Sequence, residues 1–207
     1  MATEIEMKLA VPDMETMESV LADPELLQYA KDEFQIRQMR GVYYDTKDSQ
    51  LHQRKWTLRL RDEGAIRIAA MKTAGIDNAA GFFTRNEWQV AVERIEDAIP
   101  LLIEQGAPRE LRSILKGRKL EPVCGADFQR RSVCLYLEDG VRIEMAGDSG
   151  DLFAGERKMS FCELELELLY GDAASLLPLC QQLMTDYGLE EERRSKYSRA
   201  RSLIGND

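Results

Sequence analysis

Polar and apolar residues alternate from Thr3 to Val11 (TEIEMKLAV), the period of two that marks a strand with one buried face. Glu4, Glu6 and Lys8 fall on one side of it, and Ile5, Met7 and Leu9 on the other. Pro12 and Asp13 end the run. From residue 13 to about 31 the period lengthens: Met14, Met17, Leu21, Leu26, Leu27 and Tyr29 sit near helical spacing, and Pro24 divides the stretch into two short helices. Strand-like segments then recur over 40–46, 56–62, 65–72 and 84–92, separated by Gly, Asp and Asn clusters that read as hairpin turns. Residues 96–117 carry two short helices broken near Gly106 and Pro108. Three further strands are expected over 127–137, 141–148 and 158–170, then a helix over 172–187 and a charged terminal helix over 190–204.

Eight strands joined by short turns, with helices outside them, predict an α+β fold built on an eight-stranded antiparallel closed β-barrel, because closure leaves no exposed edge. At 207 residues the chain is expected to form one domain spanning 1–207. Charged residues keep register within the strands. Arg59 and Arg61 share a face, as do Arg85, Glu87 and Gln89, then Glu144, Ala146 and Asp148, then Glu163, Glu165 and Glu167. One such strand is ordinarily an amphipathic strand with its charged face in water. The pairing of bases on some strands with carboxylates on others suits a tunnel that holds a metal and a polyanion together.

Composition narrows the partners. A net charge of −9 and an isoelectric point near 4.9 disfavour a nucleic-acid binder, whose affinity comes from many surface Lys and Arg. An anionic ligand therefore needs a locally basic pocket. The acidic N-terminal residues do not resemble a signal peptide, and no apolar run approaches the roughly 20 residues that span a bilayer, so no membrane association and a cytoplasmic location are expected. Cys124, Cys134, Cys162 and Cys180 make no CxxC pair and read as reduced thiols. Cys134 and Cys162 lie on strands and could be neighbours. His52, in a polar hairpin, reads as an ordinary exposed histidine.

The segment EIEMK at 4–8 resembles the ExExK signature of the CYTH superfamily, the triphosphate tunnel metalloenzymes. The likeness continues in order through YYDT (43–46), LRLR (58–61), MK (71–72), TRNEWQV (84–90), ADFQRR (126–131), IEMAGDSG (143–150), CELELELL (162–169) and SKYSR (195–199), and is nearest to bacterial inorganic triphosphatases. The resemblance implies an eight-stranded tunnel with metal carboxylates Glu4, Glu6, Asp148, Glu163 and Glu165, with the role of Glu167 open. It implies a phosphate-holding lining of Lys8, Arg59, Arg61, Lys72, Arg85, Arg130, Lys196 and Arg199. Glu4, Glu6, Lys8 and Arg61 are the expected catalytic group, with Lys8 a phosphate contact rather than a base because adjacent carboxylates favour its ammonium form. Lys196 and Arg199, three apart, would let one helix face plug an end of the tunnel. Mg2+ or Mn2+ fits such oxygen ligands.

The activity implied is hydrolysis of inorganic triphosphate to pyrophosphate and phosphate by in-line attack of water, without a covalent intermediate. Alternatives within the same fold are a class IV-type adenylate cyclase making cyclic AMP from ATP and a thiamine triphosphatase; a non-enzymatic alternative is a polyphosphate- or nucleotide-binding module. The expected partner is a small triphosphate, and a monomer or a homodimer is compatible with the sequence.

Overall fold

The structure is a computed structural model that describes residues 2–205 apart from 65, 75 and 78–82. Its strands are β1 (Ala2–Ala10), β2 (Gln35–Thr46), β3 (Thr57–Glu63), β4 (Ile66–Lys72), β5 (Ile76–Asp77), β6 (Phe83–Ala91), β7 (Leu120–Tyr136), β8 (Arg142–Ala154), β9 (Arg157–Tyr170) and β10 (Glu190–Glu191). Hydrogen bonding runs β1-β9-β8-β7-β2-β3-β4-β6, and β6 pairs back onto β1 with Glu4 opposite Arg85. Eight antiparallel strands thus close into the expected barrel. The two-residue strands β5 and β10 attach to β6 and β1.

Among the described residues seven α-helices surround or enter the barrel: α1 (Met14–Leu21), α2 (Pro24–Leu27), α3 (Gln50–Gln53), α4 (Ile95–Glu104), α5 (Glu110–Leu115), α6 (Leu176–Tyr187) and α7 (Lys196–Arg201). The division at Pro24 follows the sequence: Asp13 caps α1 by accepting from Thr16 N at 2.8 Å, and Asp23 caps α2, where Pro24 takes the first helical position. The core lies outside the barrel wall. Leu164 and Leu166 of β9 are fully buried with Met17, Leu21, Leu183 and their neighbours, each worth about 1.5–3 kcal/mol of apolar burial. A second apolar layer joins β3, β4 and β6 to α4 and α5. Gly147 lets α1 approach β8, since a Cβ there would meet Met17 Sδ at 2.7 Å.

Four expectations change, one of them the end of β8, which runs on to Ala154 rather than stopping at 148. β2 begins at Gln35 and β7 at Leu120, earlier than the 40 and 127 read from sequence. Pro122 and Gly125 look like breakers, yet both are accommodated: a register shift between Tyr43 and Tyr44 places Pro122 opposite Tyr44, and at Gly125 a Cβ would lie 2.5 Å from Gly41 O. The terminal helix covers only 196–201 of the expected 190–204. Glu190 and Glu191 instead pair with Ala10 and Leu9, and the helix starts where Ser195 Oγ accepts from Ser198 N at 3.1 Å. Cys134 lies opposite Glu144 while Cys162 lies opposite Ser149, so the two thiols occupy different levels of the barrel. No helix among the described residues is long and apolar enough to cross a membrane.

Candidate active site

Strand alternation turns the charged positions inward. A cavity of about 210 Å³ inside the barrel is lined by Glu4, Glu6 and Lys8 from β1, Arg59 and Arg61 from β3, Lys72 from β4, Arg85 and Glu87 from β6, Arg130 from β7, Glu144 from β8, Glu165 and Glu167 from β9, and Lys196 from α7. Residues separated by up to 192 positions therefore meet in one volume because every barrel strand contributes the same face. Arg37 and Met39 line it as well. Sequence reading missed both, since Gln35–Gln38 are exposed on both faces and give no alternation.

One end of the barrel is stopped by α7, which packs on β7 and β8. Ala200 joins an apolar layer of Phe128, Leu152, Ala154 and Phe161. Above that layer sits a buried charge cluster. Lys196 Nζ lies 2.7 Å from Asp148 and 2.8 Å from Glu165 and also bonds Glu163. Arg199 pairs with Glu163, and Arg130 donates from Nε to Asp148 Oδ1 at 2.8 Å and from Nη2 to Oδ2 at 2.7 Å while also meeting Glu165. Asp148 and Glu163 are fully buried and Lys196 is 7% exposed. Burial alone would lower the Lys196 pKa, but Asp148, Glu163 and Glu165 outweigh it and hold the ammonium well above its ordinary value. The same pairing with Lys196 and Arg130 overcomes burial at Glu165 and holds its carboxyl well below the usual range. The helix face carrying Lys196 and Arg199 thus does fill the end of the tunnel, as their spacing suggested.

The second acidic group differs. Glu4 is gripped by Lys72 at 2.5 and 2.8 Å, and Glu6 accepts from Lys8 Nζ at 3.1 Å with Arg85 at 3.7 Å. Glu167, directly opposite Glu6 on β9, makes no hydrogen bond or ion pair with the described residues. Burial, reinforced by Glu4, Glu6 and Glu144, pushes its carboxyl up to about 7. Glu87 Oε1 is buried with no hydrogen-bond partner. Arg59 likewise makes no ion pair or hydrogen bond with the described residues, and Tyr43, Glu87 and Glu4 more than offset the effect of its burial and keep it charged. The chamber therefore presents an excess of carboxylate on β1, β8 and β9 facing bases on β3, β4, β6 and β7.

Three acidic oxygens, from Asp148, Glu163 and Glu165, come within 4.8 Å of one another and so have the spacing of a metal set. Lys196 Nζ sits among them in this structure. In the chamber Glu4 and Glu6 have lysine or arginine partners, and Glu167 has none among the described residues. Glu167 stood open on sequence because the family pattern requires only two of the three glutamates on this strand face. His52 is exposed, as expected, yet its Nδ1 lies 3.2 Å from the hydroxyl of Tyr197, whose ring stands 5.0 Å from that of Tyr43. Neither tyrosine was singled out from sequence, although YYDT and SKYSR contain them.

The CYTH domain family model matches residues 2–200. An inorganic triphosphatase of Haemophilus influenzae is 28% identical over 213 residues, spanning 100% of this chain and 56% of that protein. The chain therefore covers little more than half the length of that curated relative. Among solved structures, a Hippeastrum protein described as an adenylyl cyclase candidate with a dominant triphosphatase activity superposes with a TM-score of 0.64 at 16% identity, covering 96% of this chain and 95% of that one. The PH1819 protein of Pyrococcus horikoshii gives a TM-score of 0.53 at 18% identity over 94% of this chain and 97% of its own. At these identities the structural likeness establishes the closed barrel.

Proposed function

The chain belongs to the CYTH domain family, and from that premise we propose that it is a metal-dependent phosphohydrolase cleaving inorganic triphosphate to pyrophosphate and phosphate. The observation that carries the reading is the partition of the cavity into a wall of carboxylates on β1, β8 and β9, with Glu167 lacking a bonded base among the described residues, and a facing wall of bases. The Haemophilus relative's activity supports the substrate. So does size: about 210 Å³ is below the roughly 300–1,000 Å³ typical of pockets for drug-sized ligands.

The donor set fits a hard divalent cation. Glu4, Glu6 and Glu167 are the residues that would hold Mg2+ or Mn2+, which take oxygen ligands and share them with substrate phosphates. When bound, the ion would neutralise developing charge on the phosphoryl oxygens. Asp148 and Glu163 act instead as counter-ions that fix Lys196 and Arg199. Lys8, Arg59, Lys72, Arg85 and Arg130 position the polyanion, and Arg61 contacts the phosphoryl group under attack with its planar fork. The attacking water gives up its proton to solvent as the P–O bond to the leaving pyrophosphate breaks. Loss of Lys72 from Glu4 to the substrate frees that carboxylate for the cation.

Incubation with inorganic triphosphate, ATP and thiamine triphosphate, first with magnesium and then with manganese, tests this. Phosphate release fastest from inorganic triphosphate is expected. Cyclic AMP from ATP would establish the cyclase alternative, and tight polyphosphate binding without turnover under either metal would establish the binding module.

A further inference from the structure

Thr57, Arg59 and Arg61 of β3 line the cavity, and Glu63, the next residue on the same strand face, lies just beyond that lining beside the hairpin at Gly64. Arg59 is opposite Tyr43, which stacks against Tyr197 of α7, whereas Arg61 is opposite Gly41. Each step along this column therefore leads away from the end stopped by α7, and Glu63 finishes it with a carboxylate. Glu63 Oε1 accepts from Arg61 Nε at 2.6 Å and pairs with its Nη2, and the two side chains are 18% and 17% exposed. That contact uses one edge of the guanidinium. Arg61 still lines the cavity, and its Nη1 has no partner among the described residues.

We propose that Glu63 selects substrate chain length: it aims Arg61 at a triphosphate lodged deeper in the cavity and repels a fourth phosphoryl group arriving at the Gly64 end. The inference rests on the reading of the cavity as a triphosphate site. Three phosphoryl groups can be met by Arg59, Lys72, Lys8, Arg85 and Arg130 with the free edge of Arg61. A fourth must approach an arginine whose charge is already matched, beside a half-buried carboxylate where screening is weaker than in bulk water. Burial, together with Arg59, lowers the Arg61 pKa to about 10, against the pull of Glu63, so the pair keeps the arginine charged where a lone one would be less favoured.

The test compares inorganic tri- and tetrapolyphosphate. Calorimetry in chelator-containing buffer, where no turnover occurs, is expected to show the wild type preferring triphosphate by about tenfold. Glu63→Gln should shrink that preference to about twofold, chiefly by tightening tetrapolyphosphate, and Glu63→Asp should keep it. With metal, the gain in the Gln variant should fall on the KM for the longer chain and not on kcat. A wild type that binds both chains equally, or a Gln variant that keeps the full preference, overturns the proposal. The wild-type ratio decides the question even if a variant misfolds. Absence of phosphate release from triphosphate would count against the proposed activity alone, since the binding ratio is read without turnover.

Discussion

Two acidic clusters built from the same strand, β9, stand one above the other in the barrel and meet opposite fates. At the α7 end Glu163, Asp148 and Glu165 surround Lys196, with Arg199 and Arg130 completing the charge. In the chamber Glu167 faces Glu4, Glu6 and Glu144 without a bonded cation among the described residues, and burial with those neighbours moves its carboxyl to about 7. Both are made of carboxylates set two apart on barrel strands, but only those at the α7 end bring three acidic oxygens within 4.8 Å of one another. What differs is how completely the chain supplies counter-charge: every carboxylate at the α7 end is bonded to a base, whereas Glu167 in the chamber is not.

The comparison breaks most visibly in catalysis. Glu6→Gln should lower triphosphate cleavage by about 10²–10³-fold with the melting temperature little changed, because it removes a ligand and charge that act on the substrate complex. Arg61→Ala should cost a similar or somewhat smaller factor. A steady-state phosphate-release assay alongside thermal melting checks both, and full activity in either variant would remove that residue from the site.

Lys196→Met should act on stability. It leaves two buried carboxylates, Asp148 and Glu163, and the half-buried Glu165 around an uncharged side chain, a loss of about 3–5 kcal/mol. For a chain of this size that is about 10 °C in Tm. Magnesium should restore part of the loss, since the oxygens of the triad lie within 4.8 Å of one another. An unchanged melting temperature would show that Lys196 is not what neutralises them.

A smaller effect is pH-linked. Glu167 keeps its proton in the folded metal-free protein up to about 7, while in the unfolded chain it loses it near 4.5. The unfolded state therefore binds fewer protons across that window, so stability of the metal-free protein should fall as pH rises from about 4.5 to 7 and level off above. Glu167→Gln should flatten the decline and raise the melting temperature at pH 8 by a few degrees while weakening metal binding. An unaltered pH profile in that variant would place the titration elsewhere. Least of all, Cys134→Ser should change stability by about 0.5 kcal/mol or less, because the thiol is half-buried, unpaired and outside the cavity lining.

Much of this architecture is legible in the chain itself. Alternation at 3–11 and 158–170 assigns strands and sorts their faces, and the ordered charged motifs bring Glu4, Lys8, Arg59, Lys72, Arg85 and Arg130 into one expected lining, which they share. Partners are not legible in this way. Lys196 meets Glu163 only because the chain returns α7 into the barrel mouth after 33 residues, and no local period encodes that return. The starts of β2 and β7 are hidden for a different reason: Gln35–Gln38 alternate nothing, and Pro122 with Gly125 mimic a turn until a bulge and a close strand crossing absorb them. Glu63 lies next to the recognisable LRLR segment and acquires meaning only through its bond to Arg61.

The distinction between the two clusters is tested most directly by manganese binding, followed by electron paramagnetic resonance in the wild type, Glu6→Gln and Glu163→Gln. Affinity is expected to fall by about tenfold or more in Glu6→Gln and to stay within about threefold of wild type in folded Glu163→Gln. The reverse pattern, with manganese lost on changing Glu163 and retained on changing Glu6, would contradict the assignment of the metal to the chamber.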